Sequence, residues 1–213
     1  MIDIVIIGAG GFGREVKCLI DFINNTSNSK QYSILGFLDD GVPKGTKVHE
    51  YEVLGKVDSI FEMTIKPHVV MGIGTPQIKK ALWEKLQDFE FPSIVHPSVS
   101  LKGYNVNLGK GCIICQGVIL TCDIEISDFV TINLGTTVGH DTKIFSFASF
   151  MPSVNISGEV IIEEGVYVGT GAKIINQLSI GSNTIVGAGA VVSKSLPKDC
   201  TAVGIPAKPI KFH

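Results

Sequence analysis

The chain has 213 residues, of which 45% are hydrophobic, and these values allow a substantial core in one large or two small domains. The formal net charge is −2 and no basic run is interleaved with aromatic residues, which excludes nucleic-acid and anionic-membrane partners. Because the sequence has neither about 20 consecutive apolar residues nor a basic, signal-like N-terminus, we expect a cytoplasmic protein.

Residues 1–91 alternate between short apolar strands and helical stretches. The predicted elements are strands at residues 4–7, 34–38 and 69–74 and helices at residues 14–23 and 76–89. Thr75 is the predicted N-cap of the second helix and Pro76 its first residue. Strands separated by helices predict a small parallel α/β domain of the half-Rossmann type.

A glycine-rich loop joins the first predicted strand to the first helix. It reads Gly8-Ala9-Gly10-Gly11-Phe12-Gly13, and its N–H groups and the helix N-terminus can face a pyrophosphate. Asp39 and Asp40 close the second strand, where a carboxylate can hold a ribose. A dinucleotide dehydrogenase fits the same loop, but about ninety residues are too few for a full Rossmann fold with a catalytic domain. A packing role of the loop stays open as the other alternative.

After Pro92 a period of six residues replaces the helical spacing. The repeated position is always a bulky hydrophobe: Leu108, Ile114, Leu120, Ile126, Ile132, Val138, Ile144, Phe150, Ile156, Ile162, Val168, Ile174, Ile180, Val186 and Val192. Four places later in each hexad, from Cys112 to Ala190, most residues are small or β-branched. Hexapeptide repeats predict a parallel β-helix whose triangular coils each use about eighteen residues. We therefore interpret residues 92–213 as a β-helix domain with a C-terminal tail. A weaker start of the repeat is visible at Val95 and Leu101.

The five cysteines predict neither a disulfide framework nor a metal site. They are sparse and odd in number, which is typical of a reducing compartment. Cys112 and Cys115 form only half of a zinc motif, because no second Cys or His pair follows at ligand spacing. We expect buried or surface thiols and no bound metal.

Several motifs carry a family resemblance. Pairs such as Leu108-Gly109 resemble the aliphatic-Gly repeats of the hexapeptide acyltransferases. The glycine loop with Arg14-Glu15, then Gly139-His140-Asp141, and finally residues 203–208 together look like the bacterial sugar acetyltransferases. That group includes nucleotide-linked 4-amino-sugar N-acetyltransferases and sialic acid O-acetyltransferases. The resemblance covers essentially the whole chain. It implies a left-handed β-helix, acetyl-CoA as co-substrate, and a homotrimer with active sites between subunits.

The resemblance also implies roles for individual residues. It places the catalytic base at His140 and an orienting carboxylate at Asp141, since neutral imidazole can accept a proton near pH 7. Asn133 matches a position that contacts the sugar, and Gly158 matches a glycine whose N–H points at the thioester oxygen. Relatives often carry a second His nine residues after the base, where this chain has Ser149. Without the resemblance, solvated or turn-forming residues at these positions explain the same pattern.

Two sets of binding residues follow from this resemblance. The nucleotide sugar is expected to contact Gly8, Gly10, Gly11, Phe12, Gly13, Asp39, Asp40, Gly72, Gly74 and Asn133. Acetyl-CoA is expected to contact Ser149, Gly158, Thr170, Gly187, Ala188, Pro206 and Lys208. The predicted function is direct transfer of acetyl to the 4-amino group of a UDP-, dTDP- or GDP-linked deoxysugar for surface glycans. O-acetylation of sialic acid or a related sugar hydroxyl, and a non-catalytic β-solenoid scaffold, are the alternatives.

Overall fold

The computed structural model of the protein describes residues 1–102 and 104–213, and its first part is an α/β layer. The elements are β1 (Ile2–Ile7), α1 (Gly11–Thr26), β2 (Tyr32–Leu38), β3 (Lys47–Val48), β4 (Tyr51–Gly55), a 3-10 helix (Val57–Glu62), β5 (His68–Met71) and α2 (Pro76–Lys85). The strands form one sheet in the order β3-β4-β2-β1-β5, and all neighbours are parallel except β3 and β4. The predicted parallel α/β arrangement is therefore confirmed.

The inner strand β1, which lies between β2 and β5, is covered on both sides. Ile4 and Ile6 belong to one buried apolar cluster, whereas Val5 and Ile7 belong to a second. Because successive side chains of a strand point to opposite faces, a continuous apolar run is what a doubly covered strand requires. The helix α1 supplies one cover, with buried residues at spacings of three and four.

The second predicted helix is shorter than its pattern indicated. It begins at Pro76 after Thr75, as predicted, but ends at Lys85 rather than near Phe89. The N–H of Phe89 donates to the Leu86 carbonyl in a turn, which brings the Phe89 side chain into the core. The apolar periodicity therefore continues past the helix end, because the turn buries residues as the helix does.

The second part of the chain is a β-solenoid of short parallel strands. Its strands are β6 (Ile94–Val95), β7 (Val106–Leu108), β8 (Ile113–Ile114), β9 (Ile119–Leu120), β10 (Ile124–Ile126), β11 (Thr131–Ile132), β12 (Thr137–Val138), β13 (Lys143–Ile144), β14 (Ser149–Phe150), β15 (Asn155–Ile156), β16 (Ile161–Ile162), β17 (Tyr167–Val168), β18 (Lys173–Ile174), β19 (Ser179–Ile180), β20 (Ile185–Val186), β21 (Val191–Val192), β22 (Cys200–Val203) and β23 (Lys208–Phe212). We name the three sheets by chain order: face I contains β7, β10, β13, β16 and β19. Face II contains β6, β8, β11, β14, β17, β20, β22 and β23, and face III contains β9, β12, β15, β18 and β21.

The repeated aliphatic position forms the solenoid core, as the hexads predicted. Leu108 pairs with Ile126, and Ile126 with Ile144, so residues eighteen apart are neighbours in successive coils. From residue 112 to 192, nearly all members of both registers are buried in one apolar cluster. The last two strands, β22 and β23, form an antiparallel hairpin at the end of face II.

The α/β part packs directly on the solenoid. The ring of Phe129 stacks in parallel on that of Phe147 at a centroid distance of 5.2 Å, and Trp83 of α2 lies beside both rings. Phe91 meets Phe129 edge to face at 5.1 Å. Both stacked phenylalanines lie at the corner between faces I and II. This aromatic cluster holds α2 against the solenoid.

Candidate active site

His140 lies where the chain passes from face III to face I. Backbone hydrogen bonds between coils fix this corner. The Glu159 N–H donates to the His140 carbonyl at 2.7 Å, and the Asp141 N–H donates to the Cys122 carbonyl at 3.2 Å. Asp141 has a φ of 55°, in the left-handed region, which turns the chain here. The two side chains therefore project from a backbone that neighbouring coils hold on both sides.

The imidazole of His140 is oriented by a carboxylate. Its Nδ1 lies 2.8 Å from Oδ2 of Asp141. Because a carboxylate only accepts hydrogen bonds, Nδ1 donates the proton and Nε2 keeps a lone pair. The His140 side chain is 56% exposed, so within a single chain the ring faces outward rather than into a closed pocket. The ring can therefore act as a base on a molecule that binds at the surface of the chain.

Gly158 lies one coil beyond His140 and directly beneath its ring. A Cβ at Gly158 would come within 2.5 Å of Nε2 and 2.6 Å of Cε1 of His140, so the ring occupies the space that a side chain would need. Among the described residues, the Gly158 N–H donates no hydrogen bond. One corner therefore combines a lone pair on nitrogen with a free backbone donor.

The glycine loop presents the N-terminus of α1 to an open surface. A Cβ at Gly13 would collide with the Gly8 carbonyl, and one at Gly72 would lie 2.7 Å from Cα of Gly13, so three backbones meet without side chains. Gly10 and Gly11, by contrast, have open space above them. Gly10 is the N-cap, and in the part of the chain that the structure describes no side chain bonds to this end. Free N–H groups at a helix N-terminus are suited to bind phosphate.

Two other predicted contacts lie near the loop. Phe12 is half-buried and packs against the apolar cluster beneath α1. Gly74 lies in the loop after β5, and a Cβ there would lie 3.5 Å from the methyl group of Met151. The loop that contains Gly72 and Gly74 thus connects the α/β sheet to the solenoid surface.

Asp39 and Asp40 are engaged by backbone N–H groups. Oδ2 of Asp39 accepts from Ala9 at 2.8 Å, while Oδ1 accepts from Gly41 and Val42 at 2.8 and 3.0 Å. Oδ1 of Asp40 accepts from the first residue of the 3-10 helix at 2.9 Å. Asp39 thus ties the glycine loop to the loop after β2, a role that the sequence did not predict. Asp40 remains exposed beside it.

Two cavities of about 500 Å³ each flank the glycine loop. One lies between α1 and the solenoid and is lined by Gly11 and Leu134 among others. The other lies beside the loop after β2 and is lined by Ala9 and His49. Arg14 lines both cavities. An elongated molecule with an anionic centre fits this surface, because the cation and the helix N-terminus stand between two recesses.

Several predicted contacts lie at another corner, between faces II and III. Thr170 and Ala188 occupy equivalent positions in successive coils, and the Thr170 carbonyl accepts the Gly189 N–H at 2.8 Å. Gly187 precedes Ala188 at the same turn. Asn133 lies at the same corner in an earlier coil and is buried. Its Oδ1 accepts the N–H of the next residue at 2.7 Å. Thr170 and Ala188 are exposed and free to contact a ligand.

The C-terminal tail passes beside this second corner. The Ala207 N–H donates to the Val191 carbonyl of face III at 2.8 Å. The adjoining residues Pro206 and Lys208 are exposed. The tail therefore adds a flexible cation and an exposed ring to the surface near Ala188.

Ser149 is not brought to either corner. It lies on β14, where Phe150 points into the solenoid core and Ser149 points outward from face II. The α2 helix covers this face and Ser149 is fully buried, and within residues 1–102 and 104–213 its Oγ has no hydrogen-bond partner. A contact between this hydroxyl and acetyl-CoA would require the covering side chains to move.

Apart from Ser149, the predicted residues form three groups within one chain. His140, Asp141 and Gly158 share the corner between faces III and I. Thr170, Gly187 and Ala188 share the corner between faces II and III, together with Asn133 and the tail residues Pro206 and Lys208 beside it. The other nucleotide contacts surround the α1 N-terminus. Arg14 was not predicted as a site residue, although its position directly after the glycine loop was a signal for it.

The remaining thiols and acids form no second centre. Within residues 1–102 and 104–213, no group of three or more His, Cys, Asp or Glu side chains is placed to hold a metal ion. Burial raises the pKa of Cys112 to about 11 and that of Cys115 to about 12, so both remain thiols at neutral pH. In the same described ranges, neither helix is long and apolar enough to cross a membrane.

A parallel β-helix of hexapeptide repeats with a corner histidine is typical of the hexapeptide-repeat acyltransferases. Residues 159–194 match the family model of the bacterial transferase hexapeptide (six repeats), and residues 3–86 match that of the PglD N-terminal domain. The chain is 32% identical over 214 residues to GDP-perosamine N-acetyltransferase of Escherichia coli O157:H7, covering 97% of this chain and 95% of the relative. It therefore belongs to the bacterial sugar acetyltransferases and is an acetyl-CoA-dependent enzyme.

Solved structures support the same assignment. PerB from Caulobacter crescentus, crystallised with CoA and GDP-perosamine, superposes with a TM-score of 0.86 at 29% identity, over 98% of this chain and 97% of that one. The acetyltransferase domain of PglB from Neisseria gonorrhoeae, crystallised with acetyl coenzyme A, gives 0.86 at 28% identity over 98% of each chain. The predicted family, the left-handed β-helix and the acetyl-CoA co-substrate are thereby confirmed.

Proposed function

We propose that the chain transfers acetyl directly from acetyl-CoA to the 4-amino group of a nucleotide-linked deoxysugar that is used for surface glycans. The names of the Escherichia coli and Caulobacter relatives make a GDP-linked amino sugar the first substrate to test. Residues 1–91 bind the nucleotide in this proposal, residues 92–213 carry out the transfer, and the enzyme works in the cytoplasm. The observation that supports it best is the His140 lone pair beside the free Gly158 N–H.

The chemistry follows from this pair of groups. Nε2 of His140 takes a proton from the sugar amine as its nitrogen attacks the thioester carbonyl. The Gly158 N–H stabilises the oxyanion that forms, and Asp141 stabilises the imidazolium. The C–S bond then breaks, the C–N amide bond remains, and the thiolate of coenzyme A takes up the proton. The products are an N-acetylated sugar nucleotide and free coenzyme A.

The two cavities beside the glycine loop support the proposed substrate. A sugar nucleotide has a pyrophosphate between its nucleoside and its sugar. The pyrophosphate suits the α1 N-terminus and Arg14, where charge-assisted bonds are available. The recess lined by Ala9 and His49 then receives the nucleoside, and the recess between α1 and the solenoid receives the sugar.

The position of the acetyl-CoA contacts supports a site that two chains share. His140 and Ala188 lie on different corners of one prism, yet the base must reach the acetyl group. Two prisms packed side by side can bring unlike corners together and form the groove that a single exposed corner lacks. We therefore propose a homotrimer with acetyl-CoA in the cleft between neighbouring β-helices.

Replacement of the base tests the catalytic role. His140→Ala is expected to lower kcat by about 10²–10⁴ in an assay of thiol release from acetyl-CoA with GDP-linked 4-amino sugars. Asn176→Ala is the matched control, because Asn176 occupies the same corner one coil beyond Gly158 and is exposed. Full activity of His140→Ala would remove this residue from the mechanism. Transfer to sialic acids but not to amino sugars would favour O-acetylation instead.

Mixing two inactive variants tests whether the site is shared. Ala188→Trp is expected to block the coenzyme cleft, and His140→Ala removes the base. When the two are refolded together in equal amounts, about one interface in four contains both intact residues, so about a quarter of the activity should return. If both residues serve a site within one chain, the mixture stays inactive.

A further inference from the structure

Lys79 is a buried lysine that joins the two parts of the chain. It lies on α2 and is only 1% exposed. Its Nζ donates to the Phe129 carbonyl at 2.7 Å, to Oγ1 of Thr131 at 3.1 Å and to the Ala148 carbonyl at 3.3 Å. All three acceptors belong to the solenoid, so the amine is bonded to the other part of the chain. Lysine is almost never fully buried unless its charge is paired or bonded in this way.

The acceptors are not equivalent. The Ala148 carbonyl also accepts the Thr131 N–H at 2.9 Å, within the ladder of face II. The Phe129 carbonyl, by contrast, accepts from Lys79 at a corner residue whose φ is 59°. The ring of Phe129 belongs to the aromatic cluster that contacts α2. The amine of Lys79 and the aromatic cluster therefore fasten the same helix to the same corner.

We infer that Lys79 is a positioning residue that fixes the α/β domain on the solenoid, and so fixes the distance between the bound sugar nucleotide and the transfer site. This inference rests on the proposed function. The nucleotide is held by the glycine loop of the α/β part, while the base and the coenzyme cleft belong to solenoids. Because a misplacement of about 1 Å can slow a reaction about 10²-fold, the orientation of this domain enters kcat directly.

The neighbouring residue offers a matched control. Lys80 also bridges α2 and the solenoid, through an ion pair with Glu164 at 2.7 Å. Its side chain is 49% exposed and that of Glu164 is 46% exposed, and exposed ion pairs of this kind contribute little. Two adjacent lysines on one helix therefore differ in burial while they contact the same partner surface.

The test compares Lys79→Met with Lys80→Met in the full-length enzyme. Lys79→Met is expected to lower kcat about 10- to 100-fold. Its dissociation constants for GDP and for coenzyme A, measured separately by calorimetry, should stay within about twofold of wild type because neither ligand alone spans both parts. Lys80→Met should keep wild-type kcat. Faster hydrogen exchange of α2 amides in Lys79→Met would report the loosened contact.

The outcomes separate this inference from the proposed function. A wild-type kcat in Lys79→Met overturns the inference, and so does a loss of GDP and coenzyme binding in proportion to activity, which marks a general folding role. If Lys79→Met does not fold, Thr131→Val removes one acceptor at nearly constant shape and is judged by the same two criteria, with a several-fold loss of kcat expected. Absence of transfer by the wild-type enzyme to any nucleotide-linked amine overturns the proposed function itself.

Discussion

Substitution of Gly158 by alanine displaces the imidazole ring of His140, the proposed base, and leaves the residue type of the base unchanged. The new methyl carbon would lie 2.5 Å from Nε2, 2.6 Å from Cε1 and 2.9 Å from Cδ2 of His140. Non-bonded heavy atoms prefer about 3.5–4.0 Å, so the ring must move by about 1 Å. The backbone of Gly158 lies outside the left-handed region, so alanine can adopt it. The substitution therefore acts on the ring position and not on the turn.

The expected loss of activity follows from this displacement. A reacting group that is about 1 Å out of place commonly costs about 10²-fold in rate, so Gly158→Ala should lower kcat on the order of 10²-fold. The proposed nucleotide contacts surround the α1 N-terminus and do not include this corner, so KM for the sugar nucleotide should change little. Ser157→Ala is the control, since Ser157 is the exposed preceding residue of the same corner.

The assay is release of free thiol from acetyl-CoA, with thermal unfolding measured on the same samples. We expect a low kcat together with a nearly unchanged melting temperature. A wild-type kcat in Gly158→Ala would refute it, because the ring cannot occupy its present position once the methyl group is there. A large fall in melting temperature would also count against it, since the turn would then be the element that failed.

Three further predictions concern buried or bonded polar groups. Asp39→Ala removes the acceptor of three backbone N–H groups and should lower the free energy of unfolding by about 2–3 kcal/mol in urea denaturation, whereas Asp40→Ala, which loses one, should have a smaller effect. Burial raises the pKa of the Cys115 thiol to about 12, so a thiol reagent at pH 8 should label exposed Cys18 in the native protein and Cys115 only after unfolding, as followed by mass spectrometry. Burial lowers the pKa of Lys79 from 10.5 to about 7, so the unfolded chain binds more protons between these values. The stability of wild type relative to Lys79→Met should therefore rise from pH 7 to pH 10, and a flat difference in urea midpoints would contradict this.

The solenoid was predictable because its sequence repeats a single geometric requirement. Each strand turns one side chain inward at the same step, so Ile126 and Ile144 meet the same constraint eighteen residues apart. The α/β sheet was predictable in outline from its apolar runs. The short strands β3 and β4 were not, because two or five residues of mixed polarity carry no clear period. The predicted end of α2 was too late, because a turn after the helix buries Phe89 and so continues the apolar spacing.

The candidate site was only partly predictable. His140, Asp141 and Gly158 came from a family resemblance, and the period of eighteen explains why the first and the last are neighbours. Burial of Ser149 and the bonds of Lys79 had no sequence signal, because they depend on how α2 packs against strands 50 to 69 residues away. Contacts between two domains of one chain leave no periodic pattern in the amino-acid sequence.

The geometry of a triangular prism also explains why one chain is insufficient in the proposed mechanism. Positions eighteen residues apart share a corner, as Thr170 and Ala188 do, and positions six or twelve residues out of phase lie on other corners. His140 and Ala188 are 48 residues apart, which is two full coils of 18 plus 12, so no local adjustment can bring them together within one prism. The corner at His140 is exposed within one chain, but a second prism can enclose it wherever two unlike corners face each other. In the proposed mechanism, a neighbouring copy therefore supplies the cleft, and the fixed position of the α/β domain on its own solenoid brings the acceptor into it.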